Sequence, residues 1–310
     1  MAPIPWHLGL SLPLGWRRQR AQGSLPGMEG DPYEFLAGLG FGYVEFGVGP
    51  FAEPSERELL NAEAPRCRQA GLRVALHPYL GGDHNCAHYG ESAAAAEALE
   101  SILAAASDAA ERTGEAVTVN LHPAEAQYDP AQMEPAAFRR RLLERSRAFF
   151  REIECRLEHS HPQVRVVVEH QVPPGPDENI IRIGDTFPEL LRVVERASLP
   201  LCWDTGHYLL AVERHGQAAE PPLEFIERVA HVHLHDVVEG RDHRPVTPDS
   251  KWPRRYLRML RRCGFRGGVT LEYAAEAIRQ GGGPEPVLRR SVGVLQVWAA
   301  EFRCPQMTEE

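Results

Sequence analysis

Short runs of apolar and β-branched residues recur eight times along the chain, as is typical of buried strands. They span residues 7–12, 43–47, 73–77, 117–122, 165–170, 200–207, 230–236 and 268–273. The segments between these runs are long enough for a helix and two loops, so strand and helix alternate eight times. The pattern therefore predicts an α/β fold made of a single (β/α)8 barrel.

Helical periodicity fills the intervals between the runs. Helices are predicted at residues 55–70, 91–113, 135–158, 187–197, 223–229, 252–263 and 286–302. Three connections, at residues 78–90, 171–185 and 237–250, are too long for simple turns, and we expect them to shape a substrate pocket on the catalytic face. We assign residues 1–303 to the barrel and 304–310 to a frayed C-terminal tail.

From the third run onward, nearly every run ends on a histidine or a carboxylate. Because the C-terminal strand ends of a barrel share one face, these side chains should converge. They are His77, His122, Glu169, Asp204, His207, His233 and Glu272. Glu169, Asp204, His233 and Glu272 close four successive runs, and their unpaired charges would be costly without a cation. Three carboxylates and one imidazole suit Mn²⁺, Mg²⁺, Co²⁺ or Zn²⁺, so the pattern predicts a divalent-metal site.

The surrounding polar residues have more than one interpretation. His207 could reach a second metal or a substrate hydroxyl, or it could cap a helix. His77 and His122 could ligate metal directly or line the pocket. Glu45, at the end of the second run, could orient a ligand or form an ion pair inside the barrel.

Alternation along the run at residues 230–236 makes His231, His233 and His235 face the same way, so spacing alone does not choose the ligand. We expect His231 to lie deeper in the barrel and His235 to form hydrogen bonds near the loop. Trp203 faces away from Asp204 and should pack on helices.

Composition narrows the class of protein. A chain of 310 residues with 43% hydrophobic content can bury one large core, and no apolar run approaches the roughly 20 residues needed to span a bilayer. The N-terminus has three prolines and no basic start, which argues against a secretory signal. The six cysteines form no CxxC pair, so we expect a reducing, cytoplasmic location. A net charge of −9 speaks against broad nucleic-acid affinity, although a local basic patch could still exist.

The motifs VVVEH, CWDTGH, HVHLHD and TLEYA resemble those of the xylose-isomerase-like TIM barrels, a family that includes sugar isomerases, ketose 3-epimerases and endonuclease IV-type nucleases. The resemblance covers most of the chain. It implies a metal set of Glu169, Asp204, His233 and Glu272, with both glutamates transferring protons. It also implies substrate contacts from His207 and from Arg241 or Arg244.

The chain is also similar to the endonuclease IV branch. That similarity implies additional metal ligands at His77, His122 and His243, besides His207, and a groove to which Arg241, Arg244, Arg254, Arg255 and Tyr79 could contribute. That branch has an Asp-x-His motif in the loop and a Gly-x-His-x-Ser segment near the N-terminus. In this chain Asp242 stands directly beside His243, and the N-terminal segment reads HLGLSLP, so both motifs differ. A site with one or two metals is therefore expected rather than one with three.

We therefore predict a divalent-metal-dependent isomerase or epimerase that acts on a sugar, a sugar-like polyol or a sugar phosphate through an enediolate. The cofactor would be Mn²⁺, Zn²⁺ or Co²⁺, and Tyr79 is a further candidate for substrate binding. The alternative is an endonuclease IV-like phosphodiester hydrolase with two or three zinc ions, and a barrel that binds sugar or metal without catalysis is a third interpretation. The sequence leaves monomer and homo-oligomer open.

Overall fold

The computed structural model describes residues 4–16 and 30–303, so the predicted tail at 304–310 lies outside the described residues. Eight parallel strands close into a barrel in the order β1, β2, β3, β4, β6, β8, β9, β12. They are β1 (His7–Pro13), β2 (Tyr43–Val48), β3 (Arg73–Pro78), β4 (Val117–Leu121), β6 (Val164–Glu169), β8 (Leu201–Asp204), β9 (Val229–Leu234) and β12 (Gly268–Leu271). The predicted (β/α)8 barrel is confirmed.

Helices surround the barrel. They are α1 (Pro32–Gly38), α2 (Pro54–Gln69), α3 (Ala93–Thr113), α4 (Pro135–His159), α5 (Phe187–Val193), α6 (Thr205–His215), α7 (Leu223–Arg228), α8 (Lys251–Arg262), α9 (Ala275–Gln280) and α10 (Pro284–Glu301). Helices α1, α6 and α9 were not predicted. The run at 200–207 contains both the strand and the start of a helix, because Asp204 ends β8, as predicted, and its side chain caps α6, which begins at Thr205.

The long connections on the C-terminal side carry structure of their own. Strands β5 (Glu125–Gln127) and β7 (Ile180–Arg182) form one two-stranded antiparallel sheet, and β10 (Asp236–Val238) and β11 (Arg241–Arg244) form another. The second sheet is a hairpin that places His243 near the barrel mouth. Two of the three predicted long loops therefore contain short strands.

The outer face of the barrel packs on the helices through apolar side chains. Trp203 is fully buried, and its ring contacts Phe187, Tyr208, Phe225 and Tyr256. This confirms the prediction that Trp203 packs on helices. Among the described residues, no helix is long and apolar enough to cross a membrane.

The barrel interior, in contrast, holds a chain of buried polar groups. The Tyr43 hydroxyl lies 2.8 Å from Thr270 Oγ1. The Thr270 hydroxyl donates to Glu45 Oε2 at 2.9 Å. His231 Nε2 lies 2.7 Å from the same Glu45 oxygen. His231 therefore lies deep in the barrel, as predicted, and it is hydrogen-bonded there.

Candidate metal centre

The four predicted ligands converge at the C-terminal mouth of the barrel. Asp204 pairs with His233, His233 pairs with Thr270, and Glu272 follows two residues after Thr270. His233 Nδ1 lies 2.8 Å from Glu272 Oε2, 3.4 Å from Glu169 Oε1 and 3.8 Å from Asp204 Oδ2. All four residues are buried, and their ligand atoms lie within 4.8 Å of one another.

Glu45 fixes the orientation of the His233 ring. His233 Nε2 lies 2.6 Å from Glu45 Oε1. Burial would raise the pKa of the Glu45 carboxyl, but His233 and His231 outweigh burial and hold that pKa well below its usual range. The ionised carboxylate therefore accepts the Nε2 proton, which leaves Nδ1 to face Glu169, Asp204 and Glu272. A carboxylate behind a ligating histidine is a common arrangement at metal sites.

Unpaired polar atoms show that these residues fit a cation. Glu169 Oε1, Glu272 Oε2 and His233 Nδ1 are buried and make no well-aligned hydrogen bond within the described part of the chain, although His233 Nδ1 and Glu272 Oε2 lie only 2.8 Å apart. A buried polar atom left unsatisfied costs about 1–3 kcal/mol, and more when it is charged. One divalent ion beside Asp204 would satisfy all three atoms, so the donor set suits a metal.

A second group of donors faces the other oxygen of Glu169. His77 Nε2 and His122 Nε2 lie 3.4 and 3.3 Å from Glu169 Oε2, and both nitrogens are buried without a hydrogen-bond partner among the described residues. The amide of Asn120 donates a short hydrogen bond to the same oxygen. Glu169 therefore presents one oxygen to each group and could bridge two ions.

A third group, comprising His207, His235 and His243, is held by hydrogen bonds. His235 Nδ1 accepts the backbone N–H of His243 at 2.8 Å, so its Nε2 carries the proton and donates to Asp204 at 3.0 Å. His235 therefore has no lone pair left for a metal, although its nitrogens lie close to those of the other two. As predicted, His235 is a hydrogen-bonding residue near the loop.

The other two histidines of this group each keep one nitrogen. His207 Nδ1 lies 3.1 Å from the His170 carbonyl, and His243 Nδ1 lies 3.3 Å from the Glu272 carbonyl, so both donate. Their Nε2 atoms remain available as acceptors. Two nitrogens are a poor set for a third metal, but they suit substrate hydroxyls.

Charges in the cluster are strongly coupled. Burial would raise the pKa of Glu169 and Glu272, but nearby histidines, His233 foremost, hold both pKa values well below the usual range. Burial would lower the pKa of His233, but the anionic groups around it, Glu169 first, raise that pKa well above its usual value. Without a metal the cluster thus retains a proton, which an ion would displace.

The predicted substrate-binding residues separate into two places. The Tyr79 hydroxyl donates to Glu272 Oε1 at 3.3 Å, and its half-exposed ring lies 4.5 Å from the His77 ring. Arg241 and Arg244 line a cleft of about 570 Å³ between β11 and α10, where Arg244 bonds to Gln280. No described contact joins either arginine to the four-residue cluster, and their substrate role stays a prediction.

Two residues near the site were not singled out from the sequence. Asn120 lies two residues before His122, so their side chains share one face of the β4 strand direction, and that spacing was the available signal. His170 packs on Phe187 and Tyr208, and burial lowers its pKa to about 3. His170 therefore acts as a neutral core residue whose carbonyl holds His207.

Comparisons with known proteins agree with this architecture. A search of curated proteins finds no match in sequence. Among solved structures, a D-tagatose 3-epimerase-like protein is 18% identical with a TM-score of 0.63, covering 96% of this chain and 98% of its own. An L-ribulose 3-epimerase is 13% identical with a TM-score of 0.63, covering 96% of each chain. The protein named SacUVDE is 10% identical with a TM-score of 0.55, covering 94% and 98%.

The family model described as "Xylose isomerase-like TIM barrel" matches residues 33–297, which include all four residues of the candidate metal centre. The chain therefore belongs to the xylose isomerase-like TIM barrel family.

Proposed function

We propose that this protein is a divalent-metal-dependent isomerase or epimerase of a sugar, a sugar-like polyol or a sugar phosphate. The observation that carries the proposal is the convergence of buried ligand atoms from Glu169, His233 and Glu272 beside Asp204. Similar structures named as 3-epimerases of tagatose type and of ribulose indicate which substrates to test first.

The chemistry needs a proton acceptor on each side of the reacting carbon. A divalent metal held by the four residues would polarise neighbouring carbonyl and hydroxyl oxygens and acidify the C–H bond between them. Glu169 and Glu272 are held ionised by the surrounding histidines, so each carboxylate can accept a proton. In this proposal one ionised glutamate removes the proton from one face of the carbon. The other glutamate takes up a proton from solvent and delivers it to the opposite face, and the first glutamate then releases its proton to solvent.

Neighbouring side chains would hold the substrate and the second glutamate. The Tyr79 hydroxyl donates to Glu272 Oε1, which fixes that carboxylate. His207 donates from Nδ1 to the His170 carbonyl, so its Nε2 can accept a hydrogen bond from a substrate hydroxyl. These assignments agree with the role that the family resemblance gives His207.

A second candidate function is metal-dependent hydrolysis of a phosphodiester. The observation that favours it is the group formed by His77 and His122, which shares Glu169 with the first group. Two-metal hydrolases hold their ions about 3.5–4 Å apart, and a shared carboxylate can bridge such a pair. The hydrogen bonds of His235 argue against a third ion.

One pair of assays distinguishes the two functions. Purified protein would be incubated in D2O with ketoses, including tagatose and ribulose, and proton exchange at carbon would be followed by NMR. In parallel, hydrolysis of bis(p-nitrophenyl) phosphate would be measured. Deuterium incorporation with epimer or isomer formation supports the proposal, whereas phosphodiester cleavage without exchange supports hydrolysis.

Metal stoichiometry gives an independent test. Elemental analysis would compare the wild type with His77→Gln, His122→Gln and the surface control His159→Gln. About one ion per chain in all four proteins supports the isomerase, because the four-residue cluster would suffice. Two ions in wild type and control but one in the other variants would support the hydrolase. An absence of metal in wild type would overturn both functions.

A further inference from the structure

A cavity of about 250 Å³ opens at the end of the barrel opposite the candidate metal centre. Its walls are formed by residues at or next to strand starts, including His7 of β1, Tyr43 of β2 and Arg73 of β3. Arg165 is the second residue of β6, Arg266 lies two residues before β12, and both are exposed to solvent. The cavity therefore occupies the N-terminal mouth of the barrel.

Strand alternation points two of these arginines inward. Arg73 lies four residues before His77, and Arg165 lies four residues before Glu169, on the same two strands. Residues an even number apart on a strand share one face. Because His77 and Glu169 face the barrel interior, Arg73 and Arg165 begin the same inward rows.

The cavity has a large excess of positive charge. Three guanidinium groups, from Arg73, Arg165 and Arg266, line it together with His7, and no carboxylate side chain is among the lining residues. Within residues 4–16 and 30–303, none of the three arginines has a hydrogen bond or ion pair with a carboxylate. Many other arginines of this acidic chain are paired, for example Arg57 with Asp108 and Arg139 with Glu189.

The floor of the cavity is polar and kept open by glycine. A Cβ atom on Gly268 would lie 2.7 Å from the Tyr43 hydroxyl and 2.8 Å from His231 Nδ1, so a side chain there would fill the space. The positive charge also acts on His7: burial has the larger effect and the nearby Arg73 guanidinium the smaller, and both lower the pKa of the His7 imidazole. A small space with cationic walls and a polar floor suits an anion.

We propose that this cavity binds a small phosphate-bearing anion, either inorganic phosphate or a phosphate monoester, through Arg73, Arg165 and Arg266. The planar guanidinium fork matches two phosphate oxygens at once, and charge-assisted bonds of this type are stronger than neutral ones. The site is separate from the metal centre and does not depend on the proposed function.

Calorimetric titration at low ionic strength tests this site with two probes, inorganic phosphate and phenyl phosphate. The wild type would be compared with the double variant Arg73→Gln/Arg165→Gln and with Arg151→Gln, which changes an exposed arginine on α4. We expect the double variant to bind at least about tenfold more weakly, because two charge-assisted contacts are lost. Arg151→Gln should bind like the wild type.

The comparison of the two probes identifies the source of the phosphate. Tighter binding of inorganic phosphate indicates the free ion, and tighter binding of phenyl phosphate indicates a monoester. Equal affinity in wild type and double variant would overturn the proposal, since any binding would then lie elsewhere, as at the metal centre. Equal affinity for sulfate and chloride, or tighter binding of duplex DNA through the same arginines, would also overturn it.

A second variant guards against loss of folding. Arg73→Lys/Arg165→Lys keeps both charges but removes the guanidinium fork. Circular dichroism melts would establish that each variant is folded before titration. We expect the lysine variant to bind phosphate between the wild type and the glutamine variant, and wild-type affinity in the lysine variant would contradict recognition by the fork.

Discussion

The C-terminal mouth of the barrel gathers Glu169 and Glu272 around His233, whereas the N-terminal mouth gathers Arg73 and Arg165 with Arg266. Two strands contribute inward-facing side chains to both mouths. Strand β3 supplies Arg73 below and His77 above, and β6 supplies Arg165 below and Glu169 above. On these two strands the cationic arginines therefore lie at the N-terminal end, and the histidine and glutamate lie at the C-terminal end.

The difference also shows how each end is stabilised. At the C-terminal mouth, acidic and basic groups hold one another in place, and Glu45 buttresses His233 from inside the barrel. At the N-terminal mouth, the arginines have like charge and no acidic partner among the described lining residues. Substitutions at the two ends should therefore have separable effects, on metal binding at one end and on anion binding at the other.

The largest expected effect is at Glu169, which faces both donor groups of the C-terminal mouth. Glu169→Gln keeps the side-chain volume but removes the charge and the proton acceptor, so activity should fall about 10²- to 10⁴-fold. Metal content, measured by elemental analysis, should fall as well, while phosphate affinity should not change. Glu158→Gln, on the surface of α4, is the matched control. Full activity in Glu169→Gln would contradict the assignment.

Glu45→Gln should give the next largest effect. The variant removes the charged acceptor that holds His233 Nε2–H, so metal affinity should fall about 10- to 100-fold. Competition titration with a chelating dye measures that affinity. Thr270→Val removes a different hydrogen bond to Glu45 and should weaken metal binding less. An equal loss in both variants would mean that general packing, rather than orientation of His233, was lost.

As pH rises, the stability of the metal-free protein should fall while its affinity for metal should rise. The folded-state pKa of His233 is raised, so this group stabilises the fold fully below about pH 6.5, and the stabilisation is lost as pH rises through the folded pKa. Thermal melts with chelator should therefore show Tm falling by a few degrees above pH 6.5. Metal affinity should rise over the same interval, because the ligands must lose protons. A metal-free Tm that rises with pH would refute this.

Tyr79→Phe should have the smallest effect of the series. The variant keeps the ring against His77 but loses the hydrogen bond to Glu272, which is worth about 0.5–1.5 kcal/mol, or up to about tenfold in rate. Steady-state kinetics on the substrate found in the exchange assay would measure it, with Tyr89→Phe, in the loop before α3, for comparison. A loss as large as that of Glu169→Gln would place the Tyr79 hydroxyl in the chemistry itself.

The barrel and its C-terminal ligand set could be predicted because both depend on local pattern. Alternation marks the strands, and strand-end position brings Asp204, His233 and Glu272 together once the barrel closes. The start of α6 was missed, since its first two residues, Thr205 and Gly206, are poor helix formers. The capping role of Asp204 is clear only from the structure, where its side chain accepts the backbone N–H of His207.

Other features depend on contacts between distant segments. The state of His235 is decided by the backbone N–H of His243, eight residues away in the hairpin. The arginine-lined cavity requires β3, β6 and the residue before β12 to meet at one mouth. Arg73 and Arg165 begin two of the predicted runs, but only the register of the closed barrel shows that they begin inward-facing rows.

Asp204 both caps a helix and faces the candidate metal centre, and this links metal binding to local motion of the backbone. Its Oδ1 accepts the backbone N–H of His207 at 2.7 Å and so secures the first turn of α6, while the same carboxylate faces the candidate metal centre. Occupancy at the mouth is thereby linked to fraying of that turn, because local opening of α6 must first release Asp204. Hydrogen–deuterium exchange at the His207 amide would thus report ligation from the backbone, without any substrate.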